Sequence, residues 1–179
     1  MKSIFLKYQA VLKFLFLFLG TYIVLGGCYL LYLSQEPSEK YYPEIITHTV
    51  AKQSAALITS FGYEAVVYKS LENPSMLLSI NGKTIVSIVE GCNAISVIIL
   101  FTAFIIAFSQ KKKPTILYIF AGAVLIYTVN LFRIALLTIG IYHYPQYQDF
   151  LHQIAFPAII YGMVFLLWLL WVKRISYPK

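Results

Sequence analysis

The sequence predicts an α-helical integral membrane protein: four transmembrane helices with a small extracytoplasmic helix plus β-hairpin segment. Three observations predict it. The chain is 60% hydrophobic and only 12% charged over 179 residues, more apolar surface than a soluble domain of that length can hide from water. Four apolar runs, at 11–33, 94–108, 116–141 and 154–172, approach or exceed the roughly 20 residues that cross about 30 Å of hydrocarbon. Between these runs the charges sort by side of the membrane.

That sorting sets the expected topology. Lys2, Lys7 and Lys13 lead into the first run, Lys111, Lys112 and Lys113 join the second to the third, and Lys173, Arg174 and Lys179 follow the fourth. Positive residues favour the cytoplasmic side, so both ends and the central connection read as cytoplasmic. The connections 34–93 and 142–153 hold all 7 acidic residues and read as outward-facing. A net charge of +7 gathered on one soluble face would point to nucleic acid; distributed in this way it does not, and no nucleic-acid partner is expected. The bilayer is the first partner. The second run is short and borrows residues from its flanks.

Near the N-terminus, Leu25-Gly26-Gly27-Cys28 resembles the end of a lipoprotein signal peptide. A lipidated cysteine is usually followed by a polar tether. Here the chain continues Tyr29-Leu30-Leu31-Tyr32-Leu33 and completes a span, so Cys28 reads as a small packing residue between close helices. With 2 cysteines far apart in sequence, nothing in the spacing supports a disulfide.

The outer segment 34–93 is patterned. Pro43 at a first-turn position, apolar residues Ile46, Val50, Leu57, Ile58 and Phe61, and Gly62 as a stop predict an amphipathic helix over 43–61. Such a helix can lie on the bilayer or cover a site. Segments 63–68, 76–80 and 84–89 read as short strands, the last two joined by Asn81-Gly82, a pair suited to a type I′ turn. No repeat or low-complexity tract appears, and 1–179 reads as a single membrane domain.

The hairpin delivers the chain to Cys92, at the outer start of the second run, where helix N–H groups are unpaired and the macrodipole is positive. That setting suits a nucleophilic sulfur. Arg133 stands eight residues before the outer end of the third run, about 12 Å inside it at 1.5 Å per residue. Asn130 lies one helical step earlier on the same face, and Tyr127 one step before that. His152, with Asp149 before it, opens the fourth run. Each has a bland reading. Most apolar-flanked cysteines are inert, an intramembrane arginine can be a structural partner of Glu90 or Asp149, and His152 can be solvated, with His143 a competitor for any role. Their coincidence on one side of the membrane is what carries weight: a nucleophile, a proton carrier and a fixed cation suit acyl transfer. His143 and His152 lack helical ligand spacing and a carboxylate cluster, so no metal and no cofactor are expected.

Glu90-Gly91-Cys92-Asn93-Ala94 before a span, Asn130-Leu131-Phe132-Arg133-Ile134 within the next and His152 before the last resemble the exosortase and archaeosortase family of membrane cysteine transpeptidases, and the small size resembles the short exosortase F type of Bacteroidetes. The resemblance covers about 89–172. Many members have serine or threonine after the cysteine and then glycine, where this chain has Asn93 and Ala94, and many have additional spans. The resemblance implies an inner-membrane enzyme with its site facing the periplasm. Its substrates would be secreted proteins with a C-terminal motif, membrane helix and basic tail. Cys92 would attack a backbone carbonyl, Arg133 would stabilise the oxyanion and His152 would protonate the leaving amine, with Glu90 and Asn130 orienting or neutralising the cation. A surface acceptor or water would resolve the thioester. Two rival readings stand beside it: a non-enzymatic membrane assembly factor in which Arg133 is a structural ion-pair partner, and a membrane acyltransferase using His152 as base.

Overall fold

The computed structural model describes residues 8–36, 41–109 and 111–176. Lys2, Lys7 and Lys179, which entered the charge pattern, lie outside these residues. The protein is mostly helical. Helix α1 spans Gln9–Leu33, α2 Ile45–Ser60, α3 Ile95–Ala107, α4 Lys112–His143, α5 Gln148–Phe150 and α6 Phe156–Ser176. Strands β1 (Ala65–Lys69), β2 (Met76–Ile80) and β3 (Lys83–Ile88) form one antiparallel sheet in that order.

Three stretches are long and apolar enough to cross a membrane: Val11–Leu33, Lys112–His143 and Pro145–Arg174. Helix α3 differs from them. Its 13 residues reach about 20 Å at 1.5 Å per residue, short of the ~30 Å hydrocarbon core. It begins at Ile95, so Cys92 lies ahead of the helix in a 3₁₀ turn, Glu90–Cys92, rather than in the helix's first turn.

Chain direction follows from the contacts. Phe14 and Phe18 of α1 meet Phe104 near the end of α3, Phe101 and Tyr118 meet at the start of α4, and Tyr118 meets Trp171 of α6. The aromatic layer therefore gathers at the end of the bundle that carries Lys13, Lys111–Lys113, Lys173 and Arg174. Helix α2 and the sheet sit at the opposite end.

Close packing of α3 on α4 depends on Gly122. A Cβ there would stand 2.3 Å from Cζ of the fully buried Phe101 ring. Gly122→Ala forces that ring aside, at a cost of about 1–3 kcal/mol. We expect a lower thermal midpoint in detergent, partly restored by adding Phe101→Leu. An unchanged midpoint in Gly122→Ala would refute the contact.

Helix α4 is the axis on which the layer of α2 and the sheet is built. Its 32 residues extend about 48 Å, well beyond the ~30 Å a bilayer core occupies. Thr47, Val50, Ala51, Ser54, Ala55 and Ile58 form the buried stripe of α2 at helical spacing. Thr47, Ala51, Ser54 and Ala55 are small, so α2 lies close to its neighbours between the larger Val50 and Ile58, while Phe61 remains 49% exposed at the helix end. Val50, Ala51, Ala55 and Ile58 share one core with Met76, Leu78, Ile80 and Ile88 of the sheet and with Ile134 and Ala135 of α4. Farther along α4, Leu137 and Ile141 pack with Phe156 against Ile85, Val86 and Leu151. The apolar residues after Arg133 thus face protein on one side.

In the sheet, the β2–β3 connection turns at Asn81 and Gly82, with φ of 50° and 78°. Both are left-handed, as a type I′ turn requires. The same asparagine tethers the sheet: its side-chain nitrogen donates to the Tyr142 hydroxyl at 3.2 Å.

Candidate active site

Cys92 is half-buried and carries a free thiol. Its turn is clamped from two sides. On one side, the Asn130 amide nitrogen donates to the Cys92 backbone carbonyl at 2.7 Å. Asn130 is 1% exposed, so this bond is sheltered from water and holds the turn against α4. Arg133, one helical step along, donates through Nη1 to the Asn130 Oδ1 at 3.3 Å. A single side chain therefore links the guanidinium to the backbone of the cysteine. The Arg133 Nε is buried and has no partner among the described residues. A buried donor left unpaired costs about 1–3 kcal/mol, a penalty that an incoming oxygen would relieve.

On the other side stands Asn93, also 1% exposed. Its amide nitrogen faces the Tyr29 hydroxyl at 2.7 Å, the Thr47 hydroxyl at 3.2 Å and Glu44 Oε1 at 3.3 Å. Its Oδ1 accepts from the Ile95 N–H at 3.0 Å and so satisfies the first N–H of α3, ahead of which Ala94 holds the N-cap position. Ala94 follows in the left-handed region, φ 67°. For a residue with a Cβ this conformation costs about 1–2 kcal/mol. A glycine would adopt it freely.

His152 lies in a π-helical turn, Leu151–Ala155, that runs into α6. Turns of this kind frequently mark functional positions. Leu151 fits beside Gly140 of α4 and packs on the same Leu137, Ile141 and Phe156 cluster as Ile85 and Val86, from the strand that leads to Cys92. The imidazole is exposed and has no hydrogen bond among the described residues. Glu90 is exposed and forms no ion pair with Arg133, and none joins Asp149 to Arg133 among the described residues. His143 is engaged elsewhere, with its Nε2 2.8 Å from the Tyr63 hydroxyl and its ring against Tyr142. Cys92, Asn130 and Arg133 are thus brought together by direct bonds. His152 shares their end of the bundle without touching them, and Glu90 stays outside the cluster. Among the described residues no group of His, Cys, Asp or Glu could hold a metal ion.

A family model described as transmembrane exosortase matches residues 6–172. The chain belongs to the transmembrane exosortase family. Neither a curated protein nor a solved structure matches it. Membership makes this exosortase a multi-pass membrane protein of a family of cysteine transpeptidases in the general sense.

Sequence reasoning on this exosortase passed over Glu44, Thr47 and Tyr29. Tyr29 reads as part of a lipid-facing span, and Glu44 as one charge among several in the outer segment. The available signal was the Pro43-Glu44 pair ahead of an apolar repeat, a place where a carboxylate can cap a helix. Burial pushes the Glu44 carboxyl up, but bonds from the Thr47 hydroxyl and N–H, the Ile46 N–H and the Tyr32 hydroxyl outweigh it and hold the pKa below the ordinary value. A depressed carboxylate pKa adds stability that is complete above the unfolded value, about 4.3, and is lost as pH falls through the folded one. The thermal midpoint should therefore be level down to about pH 5 and fall below about pH 4, with a shallower fall in Glu44→Gln. Equal acid sensitivity in both proteins would rule out this contribution.

Proposed function

We propose that the protein is a cysteine transpeptidase that cleaves C-terminal sorting signals of secreted proteins at the outer face of the inner membrane. Its site would be Cys92, Arg133 and His152, with Asn130 and Glu90 in support, and it would be of the short exosortase F type. The observation that carries this reading is the Asn130 bridge: it fixes Arg133 against the turn that holds Cys92, while Arg133 Nε keeps an unused donor. Four passes, with both ends cytoplasmic, belong to the same proposal. It draws support from the basic residues gathered at the end of the bundle opposite α2 and the sheet.

In the proposed reaction His152 takes the thiol proton and the Cys92 sulfur adds to the backbone carbonyl carbon of the sorting motif. The carbonyl oxygen gains the negative charge, and Arg133 donates to it. As the C–N bond breaks, His152 returns the proton to the leaving amine, and the remaining acyl group is a thioester on Cys92. An acceptor amine, or water, then attacks the thioester; His152 takes its proton as the C–S bond breaks and returns it to the departing sulfur, restoring the thiol. His152 would have to swing toward the sulfur, and its freedom from other hydrogen bonds allows that.

The assembly-factor reading needs Arg133 to be an ion-pair partner, and the side chain it meets is an amide. Trapping decides between them. The purified protein is incubated with a membrane-tailed substrate, quenched in acid and digested, and mass spectrometry locates the acyl group. An adduct on Cys92 is expected; acylation of any other residue, or processing with no adduct, would overturn the assignment.

A further inference from the structure

Glu44 lies forty-eight positions before Cys92 in the sequence, yet one of its oxygens faces the amide of Asn93, the residue that follows Cys92. Oε1 accepts from the Thr47 N–H at 2.6 Å and the Asn93 amide at 3.3 Å; Oε2 accepts from the Ile46 N–H at 2.6 Å and the Tyr32 hydroxyl at 2.9 Å. All four partners are donors. Among side chains of this length only a carboxylate accepts with both ends, since an amide would turn its own N–H groups toward two of them. The carboxylate thereby joins α1, α2 and the residue that follows Cys92. Asn93 passes the constraint on: its Oδ1 starts α3, and its peptide is continuous with Cys92, whose carbonyl is held by Asn130.

We infer that Glu44 is a positioning residue for Cys92, acting through Asn93. The inference rests on the reading of Cys92 as nucleophile. With the Glu44 contact in place, the cysteine turn is gripped between the α1–α2 side and the α4 side, and the sulfur holds one distance from the Arg133 guanidinium. Without it, Asn93 keeps its bonds to Ile95, Tyr29 and Thr47 but loses the charged acceptor that also ties Tyr32 and the start of α2 to it, and the turn samples geometries in which sulfur and guanidinium no longer converge on one carbonyl. Misplacement of a reacting group by about 1 Å can cost about 10²-fold in rate. Capping of α2 by the same carboxylate is a separate role, and the two can be parted by length.

The test shortens each end of the contact in turn, in the full chain in detergent, with kcat and KM measured on a membrane-tailed substrate alongside thermal midpoints. Glu44→Asp keeps a strong helix cap but withdraws from Asn93 by one methylene. Asn93→Ser keeps a cap for Ile95 but cannot reach Glu44. Each is expected to lower kcat at least tenfold with KM unchanged, the midpoint of Asn93→Ser also falling as the Tyr29 and Thr47 hydroxyls lose their buried donor, and Glu44→Asp placed in the Asn93→Ser protein should lower kcat no further. Wild-type kcat in Asn93→Ser overturns the inference even if Glu44→Asp fails to fold. Losses that multiply in the double variant also overturn it, because they would show that Glu44 acts by another route. Cys92→Ala is measured in parallel: activity there removes the nucleophile reading itself, whereas an inactive Cys92→Ala beside fully active Glu44→Asp and Asn93→Ser removes only the positioning role.

Discussion

Cys92→Ala should abolish processing of a membrane-tailed substrate, by at least about 10³-fold, while the protein still inserts and keeps its thermal midpoint. The size follows from the role. Loss of a covalent nucleophile removes the step itself, and what remains is the contribution of binding and oxyanion stabilisation alone. The stability should survive because Cys92 is held through its backbone: the carbonyl is the atom bound by Asn130, and the sulfur packs only at the edge of the outer core. Residual cleavage within tenfold of the wild-type rate, by immunoblot of the substrate in intact membranes, would show that the sulfur is not the attacking group. The acyltransferase alternative would then regain its place, with His152 as the group whose loss matters.

Arg133→Ala is expected to lower kcat by about 10²–10³-fold, equivalent to about 2.7–4 kcal/mol of transition-state stabilisation. KM should change little, since the charge it meets develops only as the carbonyl carbon is attacked. Arg133→Lys should recover little of the loss. An ammonium lacks the planar fork that lets Nη1 reach Asn130 while Nε points elsewhere, and the side chains are not interchangeable where that geometry is used. The decisive measurement is the kcat against KM split in both variants. Full rescue by lysine would mean that charge alone is needed, and a rise in KM with constant kcat would make Arg133 a substrate anchor.

Much of this architecture can be read from the residues. The run Val11–Leu33, the lysine groups and the left-handed Asn81-Gly82 turn announce themselves, because hydropathy, charge and backbone chirality are local properties. What could not be read depends on contacts between distant segments. The residues from Ile134 to Ile141 are as apolar as any lipid-facing stretch, yet Ile134 and Ala135 belong to a core shared with α2 and the sheet. Apolar periodicity does not say whether lipid or protein covers it. Arg133 changes meaning accordingly. It lies twenty-one residues after Lys112, about 32 Å along the helix, a length comparable with the ~30 Å of a hydrocarbon core, and its burial comes partly from protein. The face of α2 shows the same limit. Large residues such as Leu57 and Phe61 attract attention in the sequence, whereas Thr47, Ala51, Ser54 and Ala55, which carry no hydropathic signal, line the contact. The Asn93 network was invisible for a different reason: its members come from α1, α2 and the turn after β3, and only the folded chain brings them together.

Helix α4 is longer than the lipid around it is thick, and that excess bears on the fate of an acylated cysteine. Lifted on such a pillar to the aqueous margin, the thioester would be open to hydroxide as well as to an incoming amine. Which of the two wins becomes a matter of kinetic partitioning, governed by how tightly the acceptor is captured beside the pillar. Raising the acceptor concentration should then shift the product ratio from free acid to amide while total turnover stays constant.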